Sequence, residues 1–324
     1  MKLRSPILAI ACAALFATAG IAAHAQDKQG SPKTAKAAPK EHAAQRTFES
    51  PDAAAQALVD AARGNKEQEI LAVVGPSSKT WLLSGDAIAD KNDWSGFVAA
   101  YDEKNKLDTA AGGRAVLNVG NDDWAFPAPI VKHGGAWAFD ANAGREEFIN
   151  RRVGRNELDA MQTLLAIVDA EREYAARDAD GNGFPDYAKR IASTHGKKDG
   201  LYWPTKENEE ESPMGPLVAA AAREGYGKDG AAKHAPYHGY YYRLLTSQGS
   251  DAPGGAYEYL VDDKLLGGFA VVAWPSSYGA SGIMTFVVNH DGVVYAKDLG
   301  PQTAAHASVM TKFNPDGSWK KDSP

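Results

Sequence analysis

The stretch from Gly144 to Arg177, GREEFINRRVGRNELDAMQTLLAIVDAEREYAAR, limits the architecture more than any other part of the chain. Leu158, Met161, Leu165 and Val168 recur at helical spacing, and Leu164, Ile167 and Tyr174 widen that stripe. An apolar face this broad needs another layer to cover it, so the segment reads as a helix packed on a sheet. A break is expected near Gly154, with Asn156 capping a second segment and Asp159 in its first turn.

A helix-then-strand series stands on each side of this spine. Upstream, Ser50 and Pro51 are N-cap and first-position signals for a helix in which Ala54, Leu58 and Ala61 share a face before Gly64. Glu67 to Val74 and Trp94 to Lys104 continue in helical period. Then RAVLNV (114–119) and GGAWAFD alternate like strands, with Gly134 and Gly135 at a turn and Pro127 and Pro129 confining the segment between them to an edge. Downstream, a short helix over Pro216 to Glu224 precedes strands at Tyr237–Thr246, Ala256–Val261, Leu265–Trp274, Ile283–Val288 and Val293–Lys297. The expected fold class is therefore α+β. N-terminal helices with a curved antiparallel sheet occupy 48–150, and a long helix on an antiparallel sheet occupies 151–324. A length of 324 residues suits two such domains.

The first residues read as an export signal, with Lys2 and Arg4, an apolar run from Ile7 to Ala19, and Ala23-His24-Ala25 as the cleavage site. Residues 1–25 are the expected signal peptide. Its removal takes away Cys12, the only cysteine, and with it disulfide and thiolate chemistry. The alternative is a lipoprotein anchored through Cys12. Residues 26–47, rich in Lys, Ala, Pro and Gln, lack the bulky apolar groups needed to offset chain entropy and read as a disordered tether. No later stretch approaches the roughly 20 apolar residues of a membrane span. The expected location is the periplasm or outside the cell. A formal charge of −6 argues against nucleic acid as a partner.

REEFINRRVGRNEL, KDGLYWP, PYHGYYYRLLTSQG, APGGAYEYLV and GGFAVVAWPSSYGASGIMTFVVNHDGVVYAKDLGP occur in order. Together they resemble the exported bacterial family called domain of unknown function 2950, over Phe48 to about Trp319. That resemblance implies a fold unit and an envelope location and brings no catalytic residue. The element order of 48–150 is similar to cone-shaped nuclear-transport-factor-2-like domains. The order from Asn156 to Val294 is similar to the globular domains of pilins and pseudopilins, although the apolar half-helix that anchors a pilin is missing.

Candidate sites follow from residue chemistry. Asp178, Asp180, Asn182 and Asp186, with the Phe184 carbonyl, occupy positions 1, 3, 5, 9 and 7 of an EF-hand-like loop and would suit calcium. Position 12 is Lys189 where the bidentate Glu belongs, and the competing reading is a Gly-rich turn. His234, His238 and His290 are candidates for metal or acid/base work without helical pairing. Trp203, Tyr240, Tyr242 and Trp274 offer a ligand or partner surface, against burial in a core. Asp122, Asp123 and Trp124, with Arg151, Arg152 and Arg155, read as an inter-domain ion-pair cluster. Hydrolase elbows and nucleotide-binding glycine fingerprints are absent from the sequence. The reading favoured by the sequence is a non-enzymatic module that binds or scaffolds an envelope protein or glycan. The alternative is a hydrolase-like periplasmic enzyme acting on envelope glycan or peptide.

Overall fold

Ser50 opens the first helix. Its backbone is extended and its side chain accepts the Ala53 N–H, which satisfies one of the donors a helix start leaves free. The computed structural model describes residues 44–227 and 235–324, which belong to one compact unit; the leader, Cys12, most of the tether and His234 lie outside the described residues. Helices α1 (Pro51–Arg63), α2 (Glu67–Val74), α3 (Lys79–Leu82) and α4 (Ala87–Glu103) come first. The last is capped by Asp86, whose carboxylate accepts the Ile88 and Ala89 N–H groups.

Strands β1 (Asn105–Ala110), β2 (Arg114–Val119), β3 (Trp124–Ala125), β4 (Ile130–His133) and β5 (Ala136–Phe139) then form an antiparallel sheet of order β1-β2-β4-β5, with β3 paired to β2. Leu58, Ile70, Trp81, Leu117, Ile130 and Phe139 close the first core between these helices and the sheet. Each such side chain contributes about 1.5–3 kcal/mol when fully removed from water.

Helix α5 (Ala141–Arg177) is continuous for 37 residues, so no break occurs at Gly154. A Cβ at Gly154 would meet nothing within 4 Å, and a single exposed glycine costs a helix only about 1 kcal/mol. Gly154→Ala should therefore stabilise the protein by about 0.5–1 kcal/mol, measured by urea unfolding. A loss of stability would show that the helix needs a bend there. The buried face keeps Met161, Leu164, Ile167, Val168 and Tyr174 of the expected stripe. It runs through Arg152, Asn156, Ala160, Leu164, Ile167, Glu171 and Tyr174, while Leu158 is exposed.

After α6 (Gly215–Glu224) come β6 (Tyr240–Leu245), the two-residue strands β7 (Ser247–Gln248), β8 (Tyr257–Glu258), β9 (Leu260–Val261) and β10 (Lys264–Leu265), and then β11 (Ala270–Pro275), β12 (Met284–Asn289) and β13 (Val294–Asp298). Helix α7 (Thr303–Ala307) precedes β14 (Lys312–Phe313) and β15 (Lys320–Asp322). The main second sheet is antiparallel with order β15-β13-β12-β11-β6. Val271 and Ala273 of β11 face the core under α5, and Ala270 and Val272 face a further core with Tyr295 and Phe313. Both faces are thus covered, which is why FAVVAW reads as an unbroken apolar run. The α+β class with antiparallel sheets holds, and the described residues close no barrel. Among the described residues no helix is long and apolar enough to cross a membrane.

Candidate functional site

The cavity of greatest chemical interest lies between α4, the β2–β3 hairpin and the first half of α5, and measures about 350 Å³. Its walls are aromatic because helical and strand spacing bring these rings together. Trp94 and Phe97, three residues apart on α4, meet edge to face at 5.8 Å. Phe97 in turn packs against Phe126 at 5.6 Å and Trp124 at 6.5 Å. The Phe126 N–H is satisfied by the Leu117 carbonyl. Phe148 of α5 completes the apolar lining, and Trp124 stays 39% exposed at the mouth.

Three arginines of α5 border this cleft, and each has a different fate. Arg151 pairs with Glu147 one turn back at 2.6 Å, donates to the Ala125 carbonyl and lies over the Trp124 ring at 5.3 Å. Arg155 pairs with Asp93 of α4 at 2.7 Å. Arg152 is only 4% exposed; its Nη2 donates to the Leu82 carbonyl at 2.7 Å and its guanidinium stacks on Phe148 at 4.8 Å. Its Nε and Nη1 are buried and have no hydrogen-bond partner. Burial lowers the Arg152 pKa, and the charges of Asp90 and Asp93 push it back up. Asp90 also lines the cleft. Burial raises its pKa, while the Ser84 N–H, at 3.0 Å from both oxygens, and the Arg152 charge oppose that rise.

The ion-pair cluster expected from the sequence is therefore rearranged. Asp123 pairs with Lys104 at 2.9 Å and lies near Lys106, not with the arginines. Trp124, by contrast, does meet Arg151. A charged partner several strands away is chosen by tertiary packing, and charge spacing along the chain cannot name it.

His238 joins a second polar cluster. Its Nδ1 lies 2.9 Å from Asp159 of α5 and its Nε2 lies 2.7 Å from Glu224 of α6, with its backbone in the left-handed region at φ 50°. Burial lowers its pKa, but the hydrogen bonds and charges of the two carboxylates outweigh this and the net shift is upward. Beside it, the Tyr226 hydroxyl donates to Asp86 at 2.8 Å, and Asp86 also accepts the Gly239 N–H. Both imidazole nitrogens are occupied, so this arrangement works as a clamp between α5 and α6 and leaves no free lone pair for a base. His290 approaches Tyr257 at 3.5 Å and stacks edge-on with Tyr259, with its Nδ1 buried and unpaired.

The Asp-rich loop satisfies itself. Asp178 accepts the N–H groups of Asn182 and Gly183, and the Asn182 side-chain amide donates to Asp180 at 2.8 Å and to Asp186 at 2.9 Å. The Asn182 carbonyl oxygen accepts the Phe184 N–H, and Lys189 pairs with Asp263. These oxygens face N–H donors where a cation would need them, and no grouping of three metal-ligating side chains occurs among the described residues. The loop's geometry is that of a turn closed by Asx hydrogen bonds.

Of the aromatic residues weighed between a partner surface and core burial, Trp203, Tyr240 and Tyr242 follow the burial reading. Tyr240 is fully buried, Trp203 is 8% exposed, and the Tyr242 hydroxyl is enclosed; all lie in the core beneath α5. Trp274 pairs with Tyr241 on the opposite sheet face, at 5.7 Å. Strand alternation did separate Tyr241 from its neighbours, but both faces of this sheet are covered.

The family assignment rests on the whole described body. The model of the family described as Protein of unknown function (DUF2950) matches residues 45–321. The chain belongs to this family. No curated protein and no solved structure matches it. The family description names no reaction, so the chemistry has to be read from the cleft.

The cleft residues that sequence reading missed are Trp94, Phe97, Phe126 and Phe148, which come from separate elements. Arg152 left one usable signal. It stands four residues before Asn156 and eight before Ala160, on the stripe that helical geometry carries into the core.

Proposed function

We propose that this chain is an exported, non-enzymatic binding module of the cell envelope, and that the cleft between α4, the β2–β3 hairpin and α5 takes an apolar group of its ligand or partner. The observation that carries the reading is the cleft itself: an open, aromatic-walled cavity of about 350 Å³ with a few placed polar groups, the composition and size common to small-molecule sites. The part-exposed Trp124 at its mouth supplies a rigid contact surface at low entropic cost. Export is supported by the charged, apolar and A-x-A order of residues 1–25. The hydrolase-like alternative is favoured by one observation, the raised pKa of Asp90 on the cleft wall, which suits a proton donor.

Gly96 provides the test. It lines the cleft from α4, and a Cβ there meets nothing within 4 Å, so a large side chain can fill the space without displacing backbone. Protein purified from its native host and examined by native mass spectrometry should carry a small ligand as wild type and lose it as Gly96→Phe. N-terminal sequencing of the same material should begin at Gln26. A start at acylated Cys12 would establish the lipoprotein form. A ligand retained equally by Gly96→Phe would place binding elsewhere, and turnover of envelope glycan or peptide lost in Asp90→Asn would establish the enzyme.

A further inference from the structure

Among the groups that border the cleft, Arg152 is the one whose hydrogen-bonding capacity is unmet. Arg151 and Arg155 are neutralised by Glu147 and Asp93, and both are exposed. Arg152 is 4% exposed, its single hydrogen bond goes to the Leu82 carbonyl, and its Nε and Nη1 have no acceptor. Guanidinium nitrogens donate and never accept, and a buried donor left unpaired is destabilising, more so when charged. Asp90 stands nearby, yet both its oxygens face the Ser84 N–H. The missing partner is an oxygen that the protein itself does not supply.

We propose that the cleft binds an apolar monocarboxylic acid, whose body lies among Trp94, Phe97, Trp124 and Phe126 and whose carboxylate pairs with Arg152. The inference rests on the reading of the cleft as a binding site. A carboxylate forms charge-assisted bonds with guanidinium that a neutral hydroxyl cannot match. A single negative charge fits better than a phosphate dianion, because Asp90 and Asp93 also face this corner and repel added charge. An open cavity of about 350 Å³ has room for the chain of an acid of about ten carbons.

The test is calorimetry on the full chain at pH 7 with decanoate, 1-decanol and decyl phosphate. Wild type should bind decanoate roughly tenfold or more tighter than decanol, the ratio expected for one charge-assisted hydrogen bond. Decyl phosphate should bind more weakly than decanoate. Arg152→Gln should bring the decanoate-to-decanol ratio to about one, with decanol affinity little changed. Arg63→Gln, at the exposed Asp102 pair away from the cleft, should leave the ratio within about twofold of wild type. Arg152 also anchors Leu82, so if Arg152→Gln fails to fold, the wild-type ratio decides. Equal binding of decanoate and decanol to wild type overturns the carboxylate assignment and leaves the apolar cleft standing. Tighter binding of decyl phosphate overturns it too. Binding of none of the three overturns both this inference and the reading beneath it.

Discussion

Gly144→Ala should destabilise the protein by about 1–3 kcal/mol even though it places the best helix former in a helix. Gly144 lies in the first turn of α5, where the helix crosses the strand-to-strand connection at Ala128. A Cβ there would stand 2.6 Å from the Ala128 Cα and N, both backbone atoms. Neither can move aside as a flexible side chain can, so helix and connection must separate and open the first core near Phe139 and Ala141. The contrast with Gly154→Ala in the same helix isolates this cause, since the propensity gain is common to both substitutions. Urea unfolding of the pair should move the midpoint down for Gly144→Ala and up for Gly154→Ala. Movement in the same direction for both would mean that α5 does not touch Ala128.

The second large effect is a dependence of stability on pH that one carboxyl group creates. Glu171 is fully buried on the inner face of α5; its Oε2 accepts the Ala188 N–H at 2.8 Å and its Oε1 has no partner. Burial pushes its pKa well above the usual carboxylate value, and the Ala188 N–H offsets only part of this. The folded protein therefore holds a proton that the unfolded chain releases above about pH 4.5. Because the folded state binds more protons, stability falls as pH rises through the interval between the two pKa values. The slope is about 1.4 kcal/mol per pH unit at most for one proton. His238 acts in the same direction from its own upward shift: the stability it contributes is fully present below about pH 6.5 and is lost as pH rises through its folded value. Glu171→Gln keeps an acceptor for Ala188 and cannot titrate. The free-energy difference between this variant and wild type should shift in favour of the variant by up to about 1.4 kcal/mol for each unit of pH between 4.5 and the folded pKa of Glu171, and level off above it. Parallel curves for the two proteins would show Glu171 to be ionised in the fold.

Local chemistry made some of this legible in the sequence. Ser50-Pro51 and the 3.6-residue period placed α1 and α2, and uninterrupted apolar character placed β11 and β12. Strand β1 was invisible because NKLDTA is a polar edge strand with every residue at least partly exposed, so it carries no alternation to detect. The spine helix and most of its buried face, from Met161 to Tyr174, were legible, but the polar residues on that face were not. Arg152, Asn156 and Glu171 occupy inward positions that a search for leucines assigns to solvent. Asn156 is held there by the Ser281 carbonyl at 2.8 Å, a partner 125 residues away. The Asp-rich loop was legible as a turn, while the Asn182 amide that bridges Asp180 and Asp186 within it was not. The cleft was not legible at all, since its rings come from elements that are neighbours only after folding.

The central claim is that this cleft is a binding site, and its most direct test is a fluorescence titration of 1-naphthylamine, a small, neutral apolar probe, into wild type and Gly96→Phe. Wild type should give saturable binding of one probe per chain, with quenching of the cleft tryptophans Trp94 and Trp124. Gly96→Phe should bind at least tenfold more weakly while unfolding at the same or a higher urea concentration. Equal affinity in the two proteins would contradict the account.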